Sequence, residues 1–164
     1  MPSEFIDEFS DPDAKVLFRV SRDDETDLAD VETLWAWNLG NDLYKLDNFP
    51  YFAYSVSSGD VVYAPYHDDE EFPTFQKVVE KSGNRTIRIS LVPPIEDGND
   101  SDRILKQLGN LGCEFEGADR GYVVLNVGVK EDFKTIVDFL IEKEVNFEYA
   151  DPTYEEIHGE DEID

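Results

Sequence analysis

Thr86-Ile87-Arg88-Ile89-Ser90-Leu91-Val92 is a β-prone run that Pro93-Pro94 stops, and the elements after it decide the fold. Beyond the prolines, Ile104, Leu105, Leu108 and Leu111 recur at helical spacing. Asp100 or Ser101 is expected to cap that helix, and Gly112 supplies its left-handed stop. Cys113 to Glu116 reads as a short strand, turned by Asp119-Arg120-Gly121 into the strand Tyr122-Val123-Val124-Leu125-Asn126-Val127. Phe133, Ile136, Val137, Leu140 and Ile141 mark a second amphipathic helix, with Glu131 and Asp132 favourable in its first turn. A strand from Val145 to Tyr149 closes the series. The succession β-α-β-β-α-β is the split unit of ferredoxin-like folds, expected over residues 84–152.

Upstream the pattern changes to strands alone. Lys15 to Val20 is β-prone, and Glu32 to Asn38 alternates, placing Thr33, Trp35 and Trp37 on one side. Gly40-Asn41-Asp42 is turn chemistry between that run and Leu43-Tyr44-Lys45-Leu46, so a hairpin is expected. Val61 to Ala64 and Phe75 to Lys81 read as further strands. Short strands at close spacing point to a small β-barrel or strongly bent sheet over residues 14–83, making the whole chain α+β. Two acidic stretches, Asp23 to Asp30 and Asp68-Asp69-Glu70-Glu71, separate strands. Residues 153–164 read as an acidic tail that frays, with no Lys or Arg in it.

Acidity is the dominant bulk property. The chain carries 39 Asp and Glu against 14 Lys and Arg, a net charge of -25 over 164 residues. Small soluble domains usually carry a net charge of about 2–8 in magnitude. Such a field disfavours nucleic acid, whose phosphates need clustered cations, and repels an anionic membrane surface. It favours a basic partner and speeds encounter with one. A hydrophobic content of 40% nevertheless provides a packed core. Salt adaptation is the lesser explanation, because Lys exceeds Arg and only seven alanines occur. Cys113 stands alone, so no internal disulfide forms, which fits a reducing compartment. Met1 to Glu8 has neither a basic nor an apolar run of the kind a signal peptide needs, and cytoplasmic residence is expected.

Catalytic templates fail in turn. His67 and His158 lie far apart without spaced Cys or His partners for zinc, and no G-x-S-x-G, P-loop or G-x-G-x-x-G occurs. Asp97-Gly98-Asn99-Asp100-Ser101-Asp102 imitates a calcium loop, but its glycine is misplaced and Leu108 stands at the closing position. Neither enzymatic activity nor a cofactor or metal is expected.

The densest segment is Leu46-Asp47-Asn48-Phe49-Pro50-Tyr51-Phe52-Ala53-Tyr54-Ser55-Val56-Ser57-Ser58-Gly59-Asp60-Val61-Val62. On residue chemistry it reads as a packed loop rather than a ligand site, since buried aromatics chiefly pack. With Thr33-Leu34-Trp35-Ala36 before it and Ser82-Gly83-Asn84-Arg85-Thr86-Ile87-Arg88 after it, this segment resembles a bacterial domain family of unknown function. The shared core is LDN-x-P-x-FAY-x-VS-x-GD-x-V. The resemblance covers most of the chain and implies no catalytic residues. It also implies an association with toxin genes, and hence an immunity role.

The expected function is therefore a cytoplasmic immunity protein that binds and inhibits a basic toxin acting on nucleic acid. The candidate contact residues are Tyr66, Asp68, Asp69, Glu70, Glu71 and Phe72 in one loop, and Glu155 and Glu156 near the C-terminus. Aromatic anchors rimmed by charge are the usual composition of a binding hot spot, which favours the loop. The alternative is a small-molecule-sensing regulatory domain that uses Gly121 or Gly128.

Overall fold

The structure, a computed structural model, describes residues 11–20, 30–117 and 119–158. The N-terminal run Met1 to Glu8, most of the acidic stretch from Asp23 and the tail from residue 159 lie outside the described residues. The chain divides into two units, Met1–Ala53 with Ser58–Ser82, and Tyr54–Ser57 with Gly83–Asp164.

The first unit is a curled half-barrel of five antiparallel strands in the order β1-β2-β3-β4-β5. These are Ala14–Val20, Asp30–Gly40, Leu43–Leu46, Val61–Tyr63 and Lys77–Glu80. The β2–β3 hairpin forms because Asn41 and Asp42 both take positive φ, 58° and 63°, the requirement of a two-residue turn that matches strand twist. Alternation holds along β2. Glu32, Leu34 and Ala36 face inward, and Thr33 and Trp35 face out. Val16, Phe18, Leu34, Leu46 and Val62 are buried there. The sheet curls because the stretch before β5 returns to β1, where Leu17 N–H donates to the Pro73 carbonyl and Phe75 N–H to the Leu17 carbonyl, both at 2.8 Å. Phe75 then stacks on Phe18 with ring centroids 4.6 Å apart. That return shortens the strand expected from Phe75 to Lys81, since its first residues bond to β1 instead.

The second unit runs β6 (Arg85–Ser90), α1 (Asp100–Asn110), β7 (Glu114–Gly117), β8 (Tyr122–Val127), α2 (Phe133–Glu142), β9 (Asn146–Asp151) and α3 (Tyr154–His158). Its four strands lie in the order β7-β8-β6-β9 with every ladder antiparallel. Ile87, Ile89, Val123 and Leu125 meet Leu105 and Leu108 of α1 and Ile136 and Leu140 of α2 in one apolar cluster that includes Cys113. Burial pushes the Cys113 thiol up to about 11, helped by the neighbouring Glu131 carboxylate.

Caps differ from expectation in instructive ways. Asn99, not Asp100 or Ser101, caps α1: its extended backbone lets Oδ1 accept the Asp102 N–H at 2.9 Å. Ser101 instead donates its hydroxyl to the Pro93 carbonyl. Asp132 caps α2, accepting from Lys134 and Thr135 N–H, and the Thr135 side chain together with these bonds holds its carboxyl below the usual range. Glu131 therefore precedes the helix. Its carboxylate lies against Gly112, whose φ of +99° favours glycine. The start of the expected fraying tail is helical. Thr153 and Glu156 bond each other's backbone N–H in a reciprocal box at the start of α3.

Candidate functional site

The loop between β4 and β5 is held at its base and exposed at its tip. Thr74 N–H bonds the Pro65 carbonyl across the base, and Glu70 N–H bonds the His67 carbonyl to make the turn. Tyr66, Asp68, Asp69 and Glu71 are exposed, Tyr66 by 55%. Glu70 differs: its carboxylate takes an ion pair from Arg19 on β1 and is largely covered.

Phe72 turns back from this tip into a concavity of about 380 Å³ lined by Asp13, Ala14, Lys15, Trp35, Tyr44, Phe72 and Pro73. Trp35, on the outer face of β2 and 44% exposed, also lines it. Its strand position is pinned on both sides, with its N–H donating to Asn48 Oδ1 at 2.6 Å and its carbonyl accepting from Asp47 N–H at 2.9 Å. Lys15, register partner of Trp35 across the β1–β2 ladder, places Nζ 4.6 Å from the Trp35 ring centroid and 5.8 Å from that of Phe72. Burial, with Asp42 and Asp13 nearby, raises the Tyr44 hydroxyl above its ordinary range.

Glu155 and Glu156 belong to the other unit. Glu155 is exposed on α3, while Glu156 accepts from the Ser55 hydroxyl at 3.3 Å as well as capping the helix. The structure thus keeps Tyr66 to Phe72 together and puts the second pair on a separate unit. Trp35, Lys15 and Tyr44 were missed by sequence reasoning. The signal available was Trp35, a large apolar residue on the outward phase of a strand that alternates.

The segment from Leu46 to Val62 spends its polar groups internally. Tyr51, Phe52 and Ala53 N–H groups converge on the Glu32 carboxylate. Asp60, wholly buried, accepts from Lys81 Nζ at 2.7 Å and Ser82 N–H at 2.8 Å. In the second unit, Tyr54 donates its hydroxyl to Glu148 at 2.7 Å and lies 4.7 Å from the buried Arg88 guanidinium, and Ser57 bonds Thr86 and Asp151. Gly121 N–H donates to Asp119 and its carbonyl accepts from Leu91, while the Gly128 carbonyl accepts from Arg85 and Glu131. The calcium-like loop uses its oxygens within the chain too. Asp102 accepts from Gly98 N–H and Lys106, which hold its carboxyl below the usual range. Among the described residues no group of three His, Cys, Asp or Glu is placed to hold a metal, and no helix is long and apolar enough to cross a membrane.

A search of the curated proteins finds no match. A crystal structure of a hypothetical protein from Neisseria gonorrhoeae shares the fold, with a TM-score of 0.68 at 17% identity over 86% of this chain and 96% of that one. The sequence profile of a domain of unknown function, DUF4265, matches residues 32–148. That span takes in Trp35, Tyr44 and the whole loop from Tyr66 to Phe72, and leaves out Lys15, Glu155 and Glu156. With most of its length inside the match, the chain belongs to the DUF4265 family.

Proposed function

We propose that this protein is a binding protein without chemistry of its own, which docks a basic protein partner in the cytoplasm through the loop from Tyr66 to Phe72. The observation that carries this reading is the disposition of charge at that loop. Asp68, Asp69 and Glu71 are exposed at the tip of an excursion that is hydrogen-bonded to β1 and β4 at its base. A rigid base limits the conformational entropy lost when the tip is captured. The net charge of -25 supplies long-range attraction for a cationic partner. The narrower form of the proposal is an immunity protein that neutralises a basic toxin acting on nucleic acid. It rests on the same charge and on the resemblance of the Leu46–Val62 segment. We also read the second unit as ferredoxin-like; its element order β-α-β-β-α-β and antiparallel strand order support that reading.

The test uses the intact chain and its variant D68N/D69N/E70Q/E71Q as baits in lysate of the source organism. The parent is expected to retain a cationic protein that the variant loses. Association with the purified partner should slow as salt rises toward physiological strength, where screening shortens the field to about 8 Å. Recovery of no cationic partner, or equal retention by both baits, overturns the proposal. Failure of the chain to protect cells that express the captured protein overturns the immunity form alone.

A further inference from the structure

We infer that the concavity lined by Trp35, Tyr44, Phe72 and Pro73 receives the aromatic side chain of a basic protein segment, whose flanking lysines or arginines meet Asp68, Asp69 and Glu71. The inference rests on the docking reading above and deepens it by naming what the partner must present. The lining argues for a ring. A concavity of about 380 Å³ walled by Trp35, Tyr44, Phe72 and Pro73 has ample room for an aromatic side chain and offers it apolar surfaces.

Charge decides which part of the partner goes inside. Lys15 already stands over the Trp35 and Phe72 rings, so an entering cation would meet an ammonium there. The carboxylates of Asp68, Asp69 and Glu71 lie instead on the stretch that leads into Phe72, and they are exposed. An apolar anchor in the concavity with cations outside it satisfies both constraints. A second copy of this chain does not, because each copy carries a net charge of -25. An anchor in a pocket, surrounded by charge, is also how binding energy concentrates in protein interfaces.

The probes are two fluorescently labelled pentapeptides, Lys-Arg-Phe-Arg-Lys and Lys-Arg-Ala-Arg-Lys, titrated against the intact chain at low salt. The phenylalanine peptide is expected to bind about tenfold more tightly, the effect of burying much of one ring. Ala14→Phe, which fills the concavity from β1, should bring its affinity down to that of the alanine peptide while the alanine peptide is unaffected. Phe72→Ala, which removes one wall, provides the same readout if Ala14→Phe fails to give a cooperative melt. Equal binding of the two peptides by the parent, with strong salt dependence, overturns the inference and leaves the acidic-docking reading standing. A phenylalanine preference that survives both substitutions also overturns it, because the ring then sits elsewhere. Binding of neither peptide counts against both readings.

Discussion

Two loops flank β4, and they are built from the same materials to opposite ends. The stretch from Asp47 to Asp60 and the stretch from Pro65 to Gln76 both carry prolines, aromatics and carboxylates. In the first, Asp60 is turned inward, fully buried and bonded to Lys81 and Ser82, while Glu32, reaching up from β2, gathers three successive backbone N–H groups. In the second, only Glu70 is tied down, and Asp68, Asp69 and Glu71 face water. A carboxylate withdrawn from water is tolerated only where donors replace its hydration, so the first set is committed to the fold. A solvated carboxylate has made no such commitment and remains available to a partner. Acidic composition alone does not separate these roles; the donors around each oxygen do.

Asp60→Ala tests the buried side of this contrast most severely. The substitution removes the acceptor for the Ser82 N–H and the Lys81 ammonium, and should destabilise the chain by about 3 kcal/mol. Urea unfolding followed by tryptophan fluorescence measures it. A loss indistinguishable from that of a surface substitution would erase the distinction between the two loops.

Glu32→Gln is subtler. The amide keeps the length and shape of the carboxylate but turns a donor toward a site filled by the N–H groups of Tyr51, Phe52 and Ala53. An expected loss of about 2 kcal/mol follows from replacing charge-assisted bonds with a mismatched one. Hydrogen exchange at those three amides sharpens the result, since protection should fall there before it falls in the second unit's core.

Neutralising the exposed set should do least to the fold. D68N/D69N/E70Q/E71Q is expected to leave stability within about 0.5 kcal/mol of the parent, because three of the carboxylates are solvated and the Arg19–Glu70 pair is at the surface. A thermal melt of the variant beside the parent checks this. A large loss would mean that the loop, like its neighbour, is spent on the fold, and would remove the contrast on which the docking proposal stands.

Periodicity and turn chemistry were sufficient for the elements themselves. Ile104 to Leu108 and Phe133 to Ile141 lie on helices because apolar residues at helical spacing make one continuous face, and Asn41-Asp42 turns a hairpin because short polar side chains tolerate positive φ. Caps were harder to read. Asn99, Asp100 and Ser101 are all good capping residues, and only the extended backbone at Asn99, with Ser101 drawn to the Pro93 carbonyl, decides among them.

The candidate site was half visible for a related reason. Loop composition between two strands singles out Tyr66 to Phe72, since exposed charge beside aromatics is a local property of the chain. Trp35, Lys15 and Tyr44 come from three different strands, and they line one concavity with Phe72 only because β1, β2 and β3 pair in a particular register and the chain before β5 returns to Leu17. A strongly acidic α+β chain with two amphipathic helices is legible from the residues alone, because charge and periodicity depend on the identities of near neighbours. Tertiary structure alone decided which carboxylates are bonded and which are solvated. That outcome depends on donors distant in sequence, as Ser82 lies 22 residues from Asp60 and Tyr54 lies 94 from Glu148, and on the close packing that excludes water between them.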